Sequence, residues 1–377
     1  MNEIIGLYIH IPFCRQKCLY CDFPSYAGKE GMQEAYVGAL EAEIHRQGKE
    51  YKGKKVSSVF FGGGTPTTLP IPLLRRLMRA IWESWEIMDG AEITTEANPG
   101  TLDMEMAKAL KEMGFNRLSM GVQAWQNRLL KDLGRIHTIE QFQENFKAVR
   151  EAGFQNVNVD LMFALPKQSM QDWQETVQEI VKMQPEHISA YSLIIEEGTP
   201  FFERYEKGLL EPAAEELDRE MYHWAIAYLK EAGYQQYEIS NFAKAEKQSR
   251  HNRIYWQAEE YLGMGLGAHS YMEGTRFHNT YDLQEYIAAN GENKKEDIEQ
   301  ITQEDAIGEF MFLGLRLTEG VSFDRFWERF HMEMRGIYGK QILELMDAEL
   351  LDADETGIRL TEKGIDLSNF VFEKFLL

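Results

Sequence analysis

Three cysteines occur in the 377 residues, Cys14, Cys18 and Cys21, and all lie within one eight-residue stretch. An odd number, so tightly grouped, does not build a disulfide framework. The spacing C-x3-C-x2-C suits metal chemistry instead. One candidate is a zinc ion closed by His10 as a fourth ligand. The other is a [4Fe–4S] cube, held by three thiolates on three irons with the fourth iron left open. An open iron can chelate the amine and carboxylate of a small molecule. A short loop must then wrap one face of the cube, and Tyr20 beside the last cysteine supplies an aromatic wall against water.

The elements that position such a loop follow from hydrophobic patterning. Segments 4–11, 56–61, 91–95, 117–122, 157–163 and 188–193 read as short apolar, β-branched strands. Segments 33–50, 73–85, 103–113, 139–152, 170–183 and 215–232 carry helical periodicity, several with a glycine stop. Six alternations of strand and helix predict parallel strands with crossover helices. The expected fold is therefore α/β, a partial (β/α)6 barrel, since six units cannot close an eight-stranded one. The cysteine loop, Gly62-Gly63-Gly64-Thr65-Pro66, Glu96, Gln123, Asp160 and Tyr191 all fall at or near strand C-terminal ends, where barrel sites form. The glycine run lets a ligand approach the backbone, and its N–H groups are candidates to hold a carboxylate or phosphate. Glu96 is placed to accept bonds from a ribose or an ammonium group.

The rest of the chain is less regular. Residues 237–243 read as one strand, His251-Asn252-Arg253-Ile254-Tyr255-Trp256 forms an H-N-x-x-Y-W motif, and 263–270 are punctuated by glycines. The polar stretch 290–299 reads as a linker. The expected divisions are a barrel at 1–235, an extension carrying the H-N-x-x-Y-W motif at 236–295, and a winged-helix-like domain at 300–377. That last domain holds 16 acidic and 8 basic residues from Thr302 onward, and is read as a packing or lid element.

Cys14-Arg15-Gln16-Lys17-Cys18-Leu19-Tyr20-Cys21 resembles the signature of the radical S-adenosylmethionine (SAM) superfamily. With Tyr8-Ile9-His10-Ile11-Pro12-Phe13 ahead of it, the stretch is similar to one branch, the oxygen-independent coproporphyrinogen III oxidases and their relatives, the HemW heme chaperones. The resemblance implies a [4Fe–4S] cluster on Cys14, Cys18 and Cys21. It implies SAM contacts from Tyr8, Tyr20, Gly62, Gly63, Gly64, Thr65, Glu96, Gln123, Arg135 and Asp160, with Ser192 a weaker candidate. The oxidases carry a further cysteine two residues after the third; here that position is Phe23. Together with H-N-x-x-Y-W, this departure resembles the heme chaperones. It implies heme as a third cofactor, with His251 a candidate ligand, and heme-accepting respiratory proteins as partners. A homodimer and peripheral membrane contact through those partners are compatible with it. The alternative is oxidative decarboxylation of coproporphyrinogen III at the same cluster.

Composition sets outer bounds. Apolar residues make up 44%, charged residues 27%, and the formal charge is −21. That is a globular composition, and the charge argues against binding nucleic acid through its phosphates. No basic-apolar leader and no run long enough for a membrane helix stands out, so a cytoplasmic location is expected.

Overall fold

The computed structural model describes residues 3–292 and 294–376. Six parallel strands form its centre: β1 (Ile4–Ile11), β2 (Lys55–Gly63), β3 (Glu86–Ala97), β4 (Arg117–Gln123), β5 (Val157–Phe163) and β6 (His187–Ser192). They pair in chain order. Helices cross between them, among them Gln33–Glu50, Ile71–Ser84 and Met170–Lys182. The outer faces of the strands meet these helices in one apolar core that includes Leu7, Val59, Leu118 and Val159. The expected α/β partial barrel is present. A short helix at Asn127–Asp132, not expected from the sequence, buries Leu129 and Leu130 just beyond β4.

The sheet continues at both edges. Residues 237–243 are a hairpin rather than one strand: β7 (Gln235–Glu238) pairs antiparallel with β8 (Asn241–Ala243), which pairs with β6. The Glu238 carboxylate accepts the Ser240 N–H at 2.9 Å and closes that turn. At the other edge β9 (Tyr261–Met264) lies parallel to β1. Strands β10 (His269–Met272), β11 (Thr275–Asn279) and β12 (Lys295–Gln300) then add antiparallel. The expected linker is thus an edge strand over much of its length, and Asn293 lies outside the described residues. Its charge misled the sequence reading, because an edge strand turns charged side chains to water. Lys295 anchors it, with Nζ 4.3 Å from the Phe277 ring centroid.

The H-N-x-x-Y-W motif forms a helix, Arg250–Trp256, capped by the Ser249 side chain. It plugs the floor of the barrel, the end where strands begin. It meets Gly6, Ser58 and Glu92 of the first three strands, and Glu92 lies 3.9 Å from Arg117 of the fourth. A Cβ on Gly6 would lie 2.8 Å from the Ile254 side chain of this helix. The Glu92 carboxylate accepts the N–H groups of Arg250 and His251, both at 3.2 Å, a favourable placement for an anion at a helix start.

From Gln303 onward, helices and a small antiparallel sheet of Val321–Ser322, Leu351–Ala353 and Gly357–Leu360 enclose a second core around Phe310, Phe326 and Tyr338. This domain docks on the floor helix and the terminal hairpin. Arg253 pairs with Glu319 at 2.7 Å, Arg316 stacks 4.4 Å from the Trp256 ring centroid, and the Thr318 N–H donates to Tyr237 O at 3.0 Å. It also flanks the barrel wall, where Asp366 meets Arg219 at 3.3 Å and His223 at 2.9 Å on the helix Glu215–Glu231.

Candidate functional site

At the opposite end, where strands finish, a cavity of about 390 Å³ opens. Cys14, Cys18 and Cys21 line it, with Tyr20, Gly63, Gly64, Thr65, Glu96, Gln123, Arg135 and Asp160. All described lining residues precede Ser192, so the wall belongs to the barrel and its loops. The cysteines are free thiols, each partly buried. Burial raises the pKa of Cys14, and pushes Cys21 up to about 11.

His10 does not complete a zinc site. Its Nδ1 lies 3.0 Å from the Tyr8 hydroxyl and its Nε2 2.9 Å from Pro24 O, so both ring nitrogens are engaged. Among the described residues no three His, Cys, Asp or Glu side chains converge on a point for one metal ion. A cube presents separate irons, so its thiolates need to share a cavity rather than a point. The donor set, three thiols without a fourth, fits that group.

The glycine turn works differently from the sequence expectation. Its N–H groups are taken by the protein: Gly63 donates to Glu96 Oε2 at 3.2 Å, Gly64 to Ile11 O at 2.9 Å, and Thr65 to Phe13 O at 2.8 Å. The glycines are needed for closeness. Gly63 has φ +104°, and a Cβ there would sit 2.3 Å from the His10 ring; one on Gly64 would sit 2.7 Å from Phe13 O. The turn thus wedges the cysteine loop against β1 and β2.

The polar wall is strongly tuned. Burial, then repulsion from Asp160, pushes Glu96 up to about 8, against the Gly63 N–H. Asp160 is raised by burial, while Asn158 Nδ2 donates to it at 2.7 Å and Ser119 Oγ at 3.1 Å. Gln123 occupies the left-handed region, φ +73°, where the β4–β5 register slips beside Gly121. Such a bulge re-aims the side chain at a strand end. Arg135 donates to Cys18 Sγ at 3.5 Å, to Asn98 Oδ1 at 2.6 Å and to Gly121 O.

Some sequence candidates lie elsewhere. Tyr8 is one layer below the wall, with its ring stacked on Phe60 and His251. Gly62 faces Phe60 and Glu96, where a Cβ would crowd both. Ser192 donates to Asp218 and does not line the cavity. His251 lies away from the cavity, buried in the floor, with Nδ1 2.8 Å from Ser58 Oγ and Nε2 2.8 Å from the Tyr255 hydroxyl. Burial, then the Arg117 charge, lowers its pKa to about 3. Neither ring nitrogen is open to a heme iron. Asn98, Ser119, Met162 and Tyr191 also line the cavity. Asn98, Met162 and Tyr191 lie at strand ends, which was their signal, whereas Ser119, the third residue of β4, carried none.

Residues 8–180 match the radical SAM superfamily, and residues 301–367 match the HemN C-terminal domain. Heme chaperone HemW of Lactococcus lactis subsp. lactis is 39% identical over 370 residues, covering 98% of this chain and 97% of that one. Heme chaperone HemW of Bacillus subtilis is 40% identical over 372 residues, covering 98% of each. The chain belongs to the HemW family of the radical SAM superfamily. Among solved structures, the radical SAM enzyme coproporphyrinogen III oxidase (HemN) from Escherichia coli superposes with a TM-score of 0.86 at 25% identity, covering 99% of this chain and 90% of that one. The radical SAM family implies a [4Fe–4S] cluster and SAM, and the cavity described above brings together three thiols and a polar wall.

Proposed function

We propose that this chain is a radical SAM heme chaperone. Cys14, Cys18 and Cys21 hold a [4Fe–4S] cluster, the adjoining wall binds SAM, and the protein carries heme in the cytoplasm to respiratory-chain hemoproteins. The observation that carries the cofactor reading is the sharing of one cavity by three thiols, two half-buried carboxylates and a half-buried guanidinium. When bound, the cluster supplies one-electron reduction of the SAM sulfonium. The residues of the chain do the rest. Glu96 and Asp160 accept hydrogen bonds from the ribose or ammonium group. Arg135 places a fixed cation where a carboxylate binds. Tyr20 and Met162 keep water from the cluster side of the cavity.

The heme reading rests on the names of the relatives at 39% and 40% identity and on Phe23, where the oxidases carry another cysteine. The likeness to HemN favours a second reading, decarboxylation of coproporphyrinogen III. One anaerobic assay separates them. Reconstituted protein is given SAM, a reductant and coproporphyrinogen III, and porphyrins and 5′-deoxyadenosine are separated by chromatography. The expected result is an intact cluster, bound SAM and no decarboxylated porphyrin, together with heme binding in a parallel titration. Protoporphyrinogen formed with stoichiometric 5′-deoxyadenosine would overturn the chaperone reading.

A further inference from the structure

Asn98 stands between two of the cysteines and touches neither. Its Oδ1 accepts from Arg135 Nη2 at 2.6 Å, and its Nδ2 donates to Thr65 Oγ1 at 2.7 Å. The orientation of this amide is settled by chemistry. A guanidinium can only donate, so the oxygen must face Arg135 and the nitrogen must face Thr65. Thr65 Oγ1 therefore accepts from Asn98, and its own proton is free to point elsewhere. Cys14 Sγ lies 3.6 Å from that oxygen. On the other side, Arg135 Nη1 donates to Cys18 Sγ at 3.5 Å.

The backbone of Asn98 is itself held. Pro99 restricts it to extended conformations. Its carbonyl accepts from the Thr101 N–H at 3.0 Å and the Thr101 hydroxyl at 2.7 Å. Gly121 leaves the room that the arrangement needs, since a Cβ there would lie 2.8 Å from Asn98 Oδ1 and 3.1 Å from Arg135 Nη2.

We infer that Asn98 is a positioning residue for the cluster, aiming the Thr65 hydroxyl at Cys14 and the Arg135 guanidinium at Cys18. This rests on the cluster reading above. Hydrogen bonds to thiolate sulfur stabilise the more negative, reduced state of an iron–sulfur group and so raise its potential. One amide thus sets two donors at once, and links the potential of the cluster to a residue that contacts no sulfur.

The test is a potentiometric titration of reconstituted protein followed by EPR, with iron and sulfide content measured in parallel. The variants are Asn98→Ala, Thr65→Val, Thr65→Ser and the double Asn98→Ala/Thr65→Val. Asn98→Ala and Thr65→Val are expected to have more negative midpoints than wild type, with Asn98→Ala the more affected. Thr65→Ser, which keeps the hydroxyl, is expected to titrate like wild type. The double variant is expected to fall short of the sum of the two single shifts, because both remove the same bond to Cys14. Unchanged midpoints with full iron content, or shifts that simply add, would overturn the inference. Should Asn98→Ala lose its iron, the Thr65→Val and Thr65→Ser pair decides, since equal midpoints there also overturn it. Wild type that assembles no cluster would count against the cluster reading itself.

Discussion

The imidazole Nδ1 of His251 lies 2.8 Å from the hydroxyl of Ser58, near the start of the strand whose far end carries the glycine turn. The H-N-x-x-Y-W motif is joined to the cavity through the barrel interior. The Tyr8 ring stacks on His251, the Tyr8 hydroxyl meets His10, and His10 meets the carbonyl of Pro24 just past the cysteine loop. Cutting the bottom of this stack is expected to weaken the fold and leave heme ligation untouched. His251→Ala should lose about 2–4 kcal/mol through a buried cavity and stranded hydroxyls. Denaturant melts measure the loss, and the Soret maximum of bound heme should match wild type. A shifted Soret band in the folded variant would make His251 a heme ligand after all.

Gly63 is expected to tolerate no side chain. Gly63→Ala forces φ +104° on a residue with a Cβ and drives that Cβ into His10. A loss of about 2–4 kcal/mol is expected. Gly100→Ala shares a positive φ, +84°, but meets open space, so about 1 kcal/mol is expected there. Equal losses in thermal melts would show that contact with His10 is not the constraint.

The pH dependence of stability carries a signature of Glu96. Its pKa rises from 4.5 to about 8 on folding. Within that window the folded chain holds a proton that the unfolded chain has released, so this group's contribution to stability falls as pH rises. Glu96→Gln is expected to flatten that slope and to be more stable above pH 8 by on the order of 2 kcal/mol. A cationic ligand beside Glu96 favours the carboxylate, so SAM affinity should increase over the same window in wild type and not in the variant. Melts and binding titrations across that range check both.

Glu238 and Arg316 tie the second domain to the barrel. The Glu238 side chain is fully buried, with Oε2 3.7 Å from Arg316 Nη2. Burial raises the Glu238 pKa, and Arg316 opposes the rise. Arg316→Ala leaves a buried carboxylate without its cation and is expected to lose about 2–4 kcal/mol. Adding Glu238→Gln should restore part of that loss. Two single variants with additive effects would show that the pair is not coupled.

Much of the barrel was legible because its signals are local. Segments 4–11, 33–50 and 157–163 were read to the residue from apolar patterning, and the strand ends marked Glu96, Gln123 and Asp160. The edge strand Lys295–Gln300 was missed because its side chains face water, so no hydrophobic period marks it. The hairpin at 235–243 was missed because its turn is closed by a buried carboxylate, which no turn motif announces.

The sequence by itself determined the grouping of the three cysteines, the alternation of six strands with helices, and the family. Three cysteines in one loop and six strand-to-helix alternations are properties of neighbouring residues. Only the tertiary structure decided that the H-N-x-x-Y-W motif reaches the opposite end of the barrel from the cysteine loop. His251 looked like a ligand by residue type, yet it is folded into the floor against Ser58 and Tyr255. The glycine turn looked like an anion cradle, yet its N–H groups bond to Glu96, Ile11 and Phe13. Asn98 drew no expectation from the sequence, yet it bridges Thr65 and Arg135. Each of these outcomes depends on which distant donor or acceptor reaches the residue first, and spacing along a chain does not contain that distance.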